Sequence, residues 1–313
     1  MEKYFHISDG QNASPGQPET AARDTETRFF IRFCFMITQD TIDHVQVVEC
    51  EIMQVIDSIC KAHNLTYFAI GGTALGAVRH QGFIPWDDDI DIGMPRKDYE
   101  AFLRYAQEEL PQNYFLQTFA TEKKSPFYFA KIRKNNTKFV EFYLKDLDIH
   151  QGIFVDIFPF DNVPQDPTLC NLHFRLCRGL YQLYLSKSLT TVCSSRFEQK
   201  DNRKGVLRKI LHTLLLPVPK KLLFFLLDSS VQMFNDKPCT EISHIVRRRL
   251  RVRLEDLYPV AELPFEETRM PVPKNYHAYL SAQFGDYSAL PPEDKRYGHL
   301  PYLVEFDASE AVT

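Results

Sequence analysis

Apolar residues recur at helical spacing from Asp40 to His63. Ile42, Val45, Val48, Ile52, Val55, Ile56 and Ile59 fall mostly three or four positions apart, which puts them along one face of a helix. Leu65 to Ile70 is a short apolar run that stops at Gly71-Gly72, the pattern of a buried strand entering a glycine turn. A short helix is expected from Thr73 to about Arg79. Asp89 to Met94 alternates acid and apolar residues with the period of a strand, and Pro95 ends it. Residues 97–110 read as helix. Phe127–Arg133 and Lys138–Tyr143 read as strands joined by a turn at Asn135-Asn136, and Gly152–Phe158 reads as a further strand.

After Pro167 the pattern changes. Residues 168–187, 205–216, 219–235 and 241–250 read as helices rich in Leu, Phe and Arg, and the tail from Pro264 reads as an extended arm. Residues 8–27 are polar with Gly and Pro, the composition of a disordered leader. The expected organisation is a leader over 1–39, an α/β core over 40–163, a helical subdomain over 164–255 and a C-terminal arm over 256–313 that packs on the core. The fold class is α/β (α+β), a small mixed sheet with flanking helices and a helical insertion.

Composition narrows the function. The 313 residues suffice for a substantial core, and 44% hydrophobic with 25% charged residues is ordinary for a folded domain. A formal net charge of −4 argues against bulk nucleic-acid binding. The seven cysteines are scattered without a CxxC pair and imply reduced thiols and a cytoplasmic location. No secretory signal is expected, because residues 1–25 are polar without an apolar stretch, and no transmembrane helix, because Pro217, Pro219, Lys220 and Lys221 divide the apolar stretch 210–231.

The chemistry concentrates between Gly71 and Ile92. Asp87, Asp88, Asp89 and Asp91 are four acids within five positions, and core packing does not account for them. On a strand Asp89 and Asp91 share a face while Ile90 and Ile92 take the other. Two carboxylates so placed repel unless a cation lies between them, and hard oxygen ligands select Mg²⁺ or Mn²⁺. An acidic surface turn is the competing interpretation, which the Asp-Ile-Asp-Ile alternation disfavours. Gly71 and Gly72 can bring backbone N–H groups to phosphate oxygens, Thr73 can add a hydroxyl, and Arg79 and His80 offer positive charge. Asp156 sits inside the apolar strand Ile153–Phe158. There it needs a partner, a ligand role or a raised pKa, and it is the candidate third metal ligand or general base. Asp161 fits a structural role instead.

These residues resemble the LicD family of phosphotransferases, relatives of the fukutin proteins. The resemblance runs through Gly71-Gly72-Thr73 to Asp91-Ile92, then Met94-Pro95-Arg96, Tyr99, Phe129-Ala130-Lys131-Ile132-Arg133, Val155-Asp156-Ile157-Phe158-Pro159 and Gly285-Asp286-Tyr287 to Lys295-Arg296. It implies a nucleotidyltransferase-like fold. It also implies transfer of a phospho-alcohol, typically phosphocholine, from a CDP-activated donor to a hydroxyl of a cell-surface glycan such as lipopolysaccharide or teichoic acid, with release of CMP. By the same resemblance Asp89, Asp91 and Asp156 hold the metal. Lys131, Arg133, Lys295 and Arg296, with His299, are expected near substrate or phosphate.

Three rivals stay open at this stage. One is a nucleotidyltransferase that takes an NTP and releases pyrophosphate. A second is a scaffold with an idle site. A third is a zinc protein using Cys170, His173 and Cys177 on one helix face, with Cys193 as a possible fourth ligand. The alternatives of CDP-ribitol or CDP-glycerol as donor also stand. Leu- and Phe-rich stretches beside Lys220-Lys221 and beside Arg247-Arg248-Arg249 raise the further expectation of weak peripheral contact with an anionic membrane.

Overall fold

The computed structural model of the protein describes residues 38–189, 202–244, 250–299 and 301–307, the side chains of 202–204 excepted. Residues 1–37 of the predicted leader, Cys193 and Arg247-Arg248-Arg249 lie outside the described residues.

The first helix, α1 (Gln39–Ala62), begins where Thr38 Oγ1 accepts a hydrogen bond from the Thr41 amide at 3.2 Å. It buries Val45, Val48, Ile52, Met53, Ile56 and Ile59 along the predicted stripe, and Glu49 lies in that same stripe. The chain then runs through β1 (Phe68–Ala69), α2 (Gly71–Arg79), β2 (Ile90–Pro95), α3 (Arg96–Glu109), β3 (Tyr114–Gln117), β4 (Ala130–Lys134), β5 (Lys138–Val140) and β6 (Phe154–Asn162). The sheet has the order β1–β2–β6–β4–β3; only β2 and β6 run parallel. The fold is therefore α/β with a mixed sheet, as the alternating patterns predicted.

Register places the polar residues. Asp91 pairs with Asp156, Asp156 with Lys131, and Lys131 with Gln117. Cross-strand partners project to the same side, so these four form one row across the sheet. The adjacent row, Ile90, Val155, Ile132 and Leu116, projects to the other side and is buried.

The helices α4 (Pro167–Ser188), α5 (Asn202–Leu215) and α6 (Lys220–Val231) follow. Phe174, Cys177, Tyr184, Leu223 and Leu227 pack there with Tyr128 and Val163 as a second core. Arg96 fastens this core to the sheet. Its Nε and Nη2 donate to the two oxygens of Asp161 at 2.8 and 2.7 Å, and Nη2 also reaches Tyr128 Oη at 3.1 Å. Tyr128 in turn donates to Asp228 Oδ1 at 2.8 Å. Asp161 has the structural role expected of it.

Several sequence expectations need correction. Of the helix read over 241–250, residues 245–249 lie outside the described residues, and its start is a strand instead, β7 (Glu241–Ser243), paired to the end of β6 and to β8 (Arg251–Arg253). A run this short carries no decisive period, and the open end of β6 decides it. The strand read over Lys138–Tyr143 ends at Val140. It does not form a hairpin with β4, although Asn136 takes φ +61 at the turn, but pairs instead with β11 (Leu303–Glu305). The tail is not simply extended. After α7 (Leu254–Leu257) it forms a hairpin of β9 (Ala261–Phe265) and β10 (Thr268–Val272), then α8 (Tyr276–Phe284). Pro264 and Pro271 are tolerated because both strands of a two-stranded ribbon are edges. The Cys170–His173–Cys177 face is packing: both thiols are buried, and His173 Nε2 lies 2.6 Å from the Ser230 carbonyl.

Candidate active site

The loop after α2 delivers Asp87, Asp88 and Asp89 beside the row begun by Asp91. Gly71 opens α2 with φ +55, a left-handed backbone that other residues adopt only with strain. At Gly72 a Cβ would lie 2.5 Å from Asp87 Oδ2, so the absence of a side chain is what lets that carboxylate approach the start of the helix. Thr73 Oγ1 accepts from the Asp91 amide at 2.8 Å and fixes the entry into β2. Gly71, Gly72 and Thr73, predicted to contact phosphate, thus lie beside Asp87 and Asp91.

Asp156 is completely buried, and its Oδ1 lies 2.6 Å from Lys131 Nζ, also completely buried. The contact occupies Oδ1, whereas Oδ2 is buried without a hydrogen-bond partner. The Lys131 ammonium stands 3.3 Å from the Phe154 ring centroid and 4.5 Å from that of Phe127. Burial pushes Asp156 up to about 7, with Lys131 opposing and Asp91 reinforcing the shift. Burial likewise raises Asp89, and raises Asp87 further, where Asp89 and Asp88 add their repulsion.

Two further acids join this group. Glu49 projects from the buried stripe of α1, and its Oε2 has no hydrogen-bond partner. Burial first, then Asp89, Asp88, Asp87 and Asp156, drive its pKa well above the ordinary carboxylate range. Its sequence signal was an acid within a helix's apolar face. Glu141 is buried, accepts from Tyr143 Oη at 2.9 Å, and acts electrostatically on Asp156.

His299 binds Asp88 from the C-terminal segment. Its amide donates to both Asp88 oxygens at 2.9 Å, its Nδ1 lies 2.8 Å from Oδ1, and its Nε2 lies 3.8 Å from Asp89 Oδ2. Asp88, Asp89 and His299 are the one group of three or more His, Cys, Asp or Glu residues among the described residues with ligand atoms all within 4.8 Å of one another; the predicted trio Asp89, Asp91 and Asp156 is not drawn together so closely. Burial opposes a charge on His299, but Asp89 and Asp88 outweigh it and hold the imidazole protonated well above its usual range. With no cation present, Asp88–His299 is an ion pair that anchors the tail. Hard divalent cations favour the carboxylate oxygens here, with the His299 ring nitrogen within reach of Asp88 and Asp89. Asp156 Oδ2 and Glu49 Oε2, buried without hydrogen bonds, are the observation that supports the fit.

Of the other predicted residues, Arg79 and Arg296 come close enough that the charge of Arg296, after burial, lowers the Arg79 pKa. Arg79 donates Nε to His80 and Nη1 to the Tyr287 carbonyl at 3.1 Å, while the Arg296 guanidinium lies 5.5 Å from the Trp86 ring centroid. Lys295 is exposed. Arg133 is fully buried, donating to Gln117 Oε1 at 2.7 Å and the Gly152 carbonyl at 2.6 Å, which gives its guanidinium a packing role.

The LicD/FKTN/FKRP nucleotidyltransferase-domain family model matches residues 64–174, which span β1 to α4 and hold most of the acids above. Over 269 residues the chain is 28% identical to the lipopolysaccharide cholinephosphotransferase LicD of Haemophilus influenzae, covering 83% of this chain and 96% of that protein. Uncharacterized proteins of Rickettsia typhi and Rickettsia prowazekii are 44% and 45% identical over 62 residues, 20% of this chain and 19% and 22% of theirs.

Proposed function

The chain belongs to the LicD family of phosphotransferases, and on that premise we propose that it moves phosphocholine from CDP-choline to a hydroxyl of a cell-surface glycan, releasing CMP. The observation that carries the proposal is the Asp91–Asp156–Lys131 row across β2, β6 and β4, with Asp89 two residues before it, inside the matched family domain. The similarity to a lipopolysaccharide cholinephosphotransferase along most of both chains supports choline as the alcohol and lipopolysaccharide as the acceptor class. The five described cysteines are all free, which suits a cytoplasmic enzyme.

In this proposal Asp89 and Asp91 would hold Mg²⁺ or Mn²⁺, and Asp156 would complete the ligand set or take the acceptor proton. The ion supplies charge neutralisation on the donor diphosphate and on the departing CMP. Arg79 and Arg296, which lie near one another, would meet phosphate oxygens. The acceptor oxygen attacks the choline-bearing phosphorus, the bond from that phosphorus to the CMP oxygen breaks, and the acceptor proton passes to Asp156 where that residue is not a ligand. Residues 40–163 carry the chemistry, 164–255 support it as a largely helical unit, and 256–313 close over it through His299.

The test is product analysis with the purified protein, lipopolysaccharide and Mg²⁺, offering CDP-choline, CDP-ribitol, CDP-glycerol and CTP separately. CMP release from CDP-choline that depends on lipopolysaccharide is expected. Pyrophosphate release from CTP would replace this reading with nucleotidyl transfer. CMP from CDP-ribitol or CDP-glycerol alone would keep the reaction and change the alcohol.

A further inference from the structure

The helices α4, α5 and α6 are apolar on the outside as well as the inside. A helix on a protein surface ordinarily turns one apolar stripe inward and a polar face to water. On α6 the inward stripe is Leu223, Leu227 and Val231, all buried. Yet Leu222, Phe225 and Leu226 on the other side are 47%, 62% and 41% exposed. On α5, Leu207, Ile210 and Leu214 recur at i, i+3 and i+7 and are 65%, 52% and 67% exposed. Leu169, Leu172 and Leu176 repeat the pattern on α4. So many large apolar side chains on neighbouring helices mark an interaction surface.

Charge identifies the partner. The three helices contain nine lysines and arginines and one acid, Asp228, in a chain whose net charge is −4. Asp228 is already engaged by Tyr128 and Arg96. Arg175, Arg178, Lys209 and Lys221 are exposed among the apolar residues. No single helix among the described residues is long and apolar enough to cross a membrane. The pair 205–215 and 220–231 passes that test only together, and it is bent by 108°. A bent, cationic, Leu- and Phe-rich pair is suited to lie in a membrane interface rather than span it. A second copy of the chain is a poor occupant, because a two-fold contact would bring these cations face to face.

We propose that the outer faces of α5 and α6, flanked by α4, seat the protein on an anionic lipid bilayer, with Leu207, Ile210 and Phe225 entering the headgroup boundary and Lys209 and Lys221 meeting lipid phosphates. This surface is separate from the carboxylate site and does not depend on which alcohol is transferred.

Flotation of the full chain with phosphatidylcholine vesicles, with and without phosphatidylglycerol, tests the proposal. The protein is expected to float with the anionic vesicles at low salt, to detach at about 0.5 M NaCl because screening is then nearly complete, and to ignore neutral vesicles. Lys209→Glu with Lys221→Glu should weaken partitioning about tenfold or more, since each surface cation contributes several-fold. Leu207→Glu with Phe225→Glu should do the same while circular dichroism and melting temperature stay as in the wild type, both sites being exposed. The proposal is overturned if the wild type fails to float with anionic vesicles at low salt, or if both variants float as it does. It is also overturned if light scattering shows a dimer that Leu207→Glu dissolves and vesicles leave untouched.

Discussion

Lys131 and Asp156 are direct cross-strand partners, with Nζ 2.6 Å from Oδ1 and neither side chain reaching solvent. Removing one member of such a pair strands the other charge in the core, which typically costs about 3–5 kcal/mol. Lys131→Met should therefore destabilise the protein by roughly 3 kcal/mol at pH 8. The loss should shrink at pH 5.5, where Asp156, whose carboxyl sits at about 7 even with Lys131 present, takes up a proton and sheds its charge. Urea denaturation of both proteins at the two pH values measures this. An equal loss at both would mean that Asp156 stays charged or that the effect is packing alone.

The crowded acids make metal-free stability depend on pH in a definite direction. Asp156 rises from 3.8 to about 7 on folding, and Glu49, Asp87 and Asp89 also rise. A carboxyl with a raised folded pKa favours folding at low pH, and that contribution is lost as pH climbs through the folded value. The protein in EDTA should thus lose stability from about pH 4 to about 7. Mg²⁺ or Mn²⁺ that fills the site should relieve this, raising the melting temperature more at pH 8 than at pH 5. Asp89→Asn and Asp91→Asn should each abolish turnover and remove most of the metal-induced shift. A shift that survives both substitutions would place the cation elsewhere.

Arg96 is a test of structure without chemistry. Its bidentate grip on Asp161 and its contact with Tyr128 join the sheet to the helices, and a lysine cannot reproduce the planar fork. Arg96→Lys should lower stability by about 2 kcal/mol, in the range for charge-assisted hydrogen bonds. The KM for donor should not change. A thermal melt read beside steady-state kinetics separates the two effects, and a large fall in kcat at temperatures where the variant stays folded would give Arg96 a role in the reaction.

The sequence made the centre of the molecule legible and the periphery much less so. Asp91 and Ile92 could be assigned to opposite faces because a period of two allows no other arrangement on a strand. The length of α1 followed from its stripe, but Glu49 within that stripe went unremarked, since an acid at one buried position leaves the helical period intact. The pairing of Asp91 with Asp156 could not be read in advance, because parallel register depends on how α3, β3, β4 and β5 are threaded between the two strands. The β9–β10 hairpin was hidden by Pro264 and Pro271, which count against strands except at an edge. Glu241–Ser243 became a strand because of the β6 end it meets, a fact about tertiary contact rather than local propensity.

His150 provides a pH test away from the acids. Its ring stacks on Phe115 with centroids 4.9 Å apart, Nδ1 accepts from the Gly152 amide at 3.1 Å, and Nε2 lies 2.9 Å from Asn135 Oδ1. A ring nitrogen that accepts from an amide cannot carry a proton, so these contacts hold the imidazole neutral. Burial, and secondarily the charge of Arg133, push its pKa down from 6.5 to about 4. The unfolded chain therefore binds a proton between about pH 6.5 and 4 that the folded protein refuses, and stability falls as pH drops through that window. His150→Gln removes this group from the balance. The variant should be less stable than the wild type at pH 7.5, where the neutral ring makes its contacts, and the gap should narrow by pH 5. Comparing the two proteins at each pH cancels the opposite trend of the acid cluster, which both share. Chemical denaturation at pH 7.5 and 5 measures the gap, and an NMR titration of the His150 ring reads its pKa directly. A gap that stays constant, together with a ring that titrates near 6.5, would show that the Gly152 contact does not hold in solution.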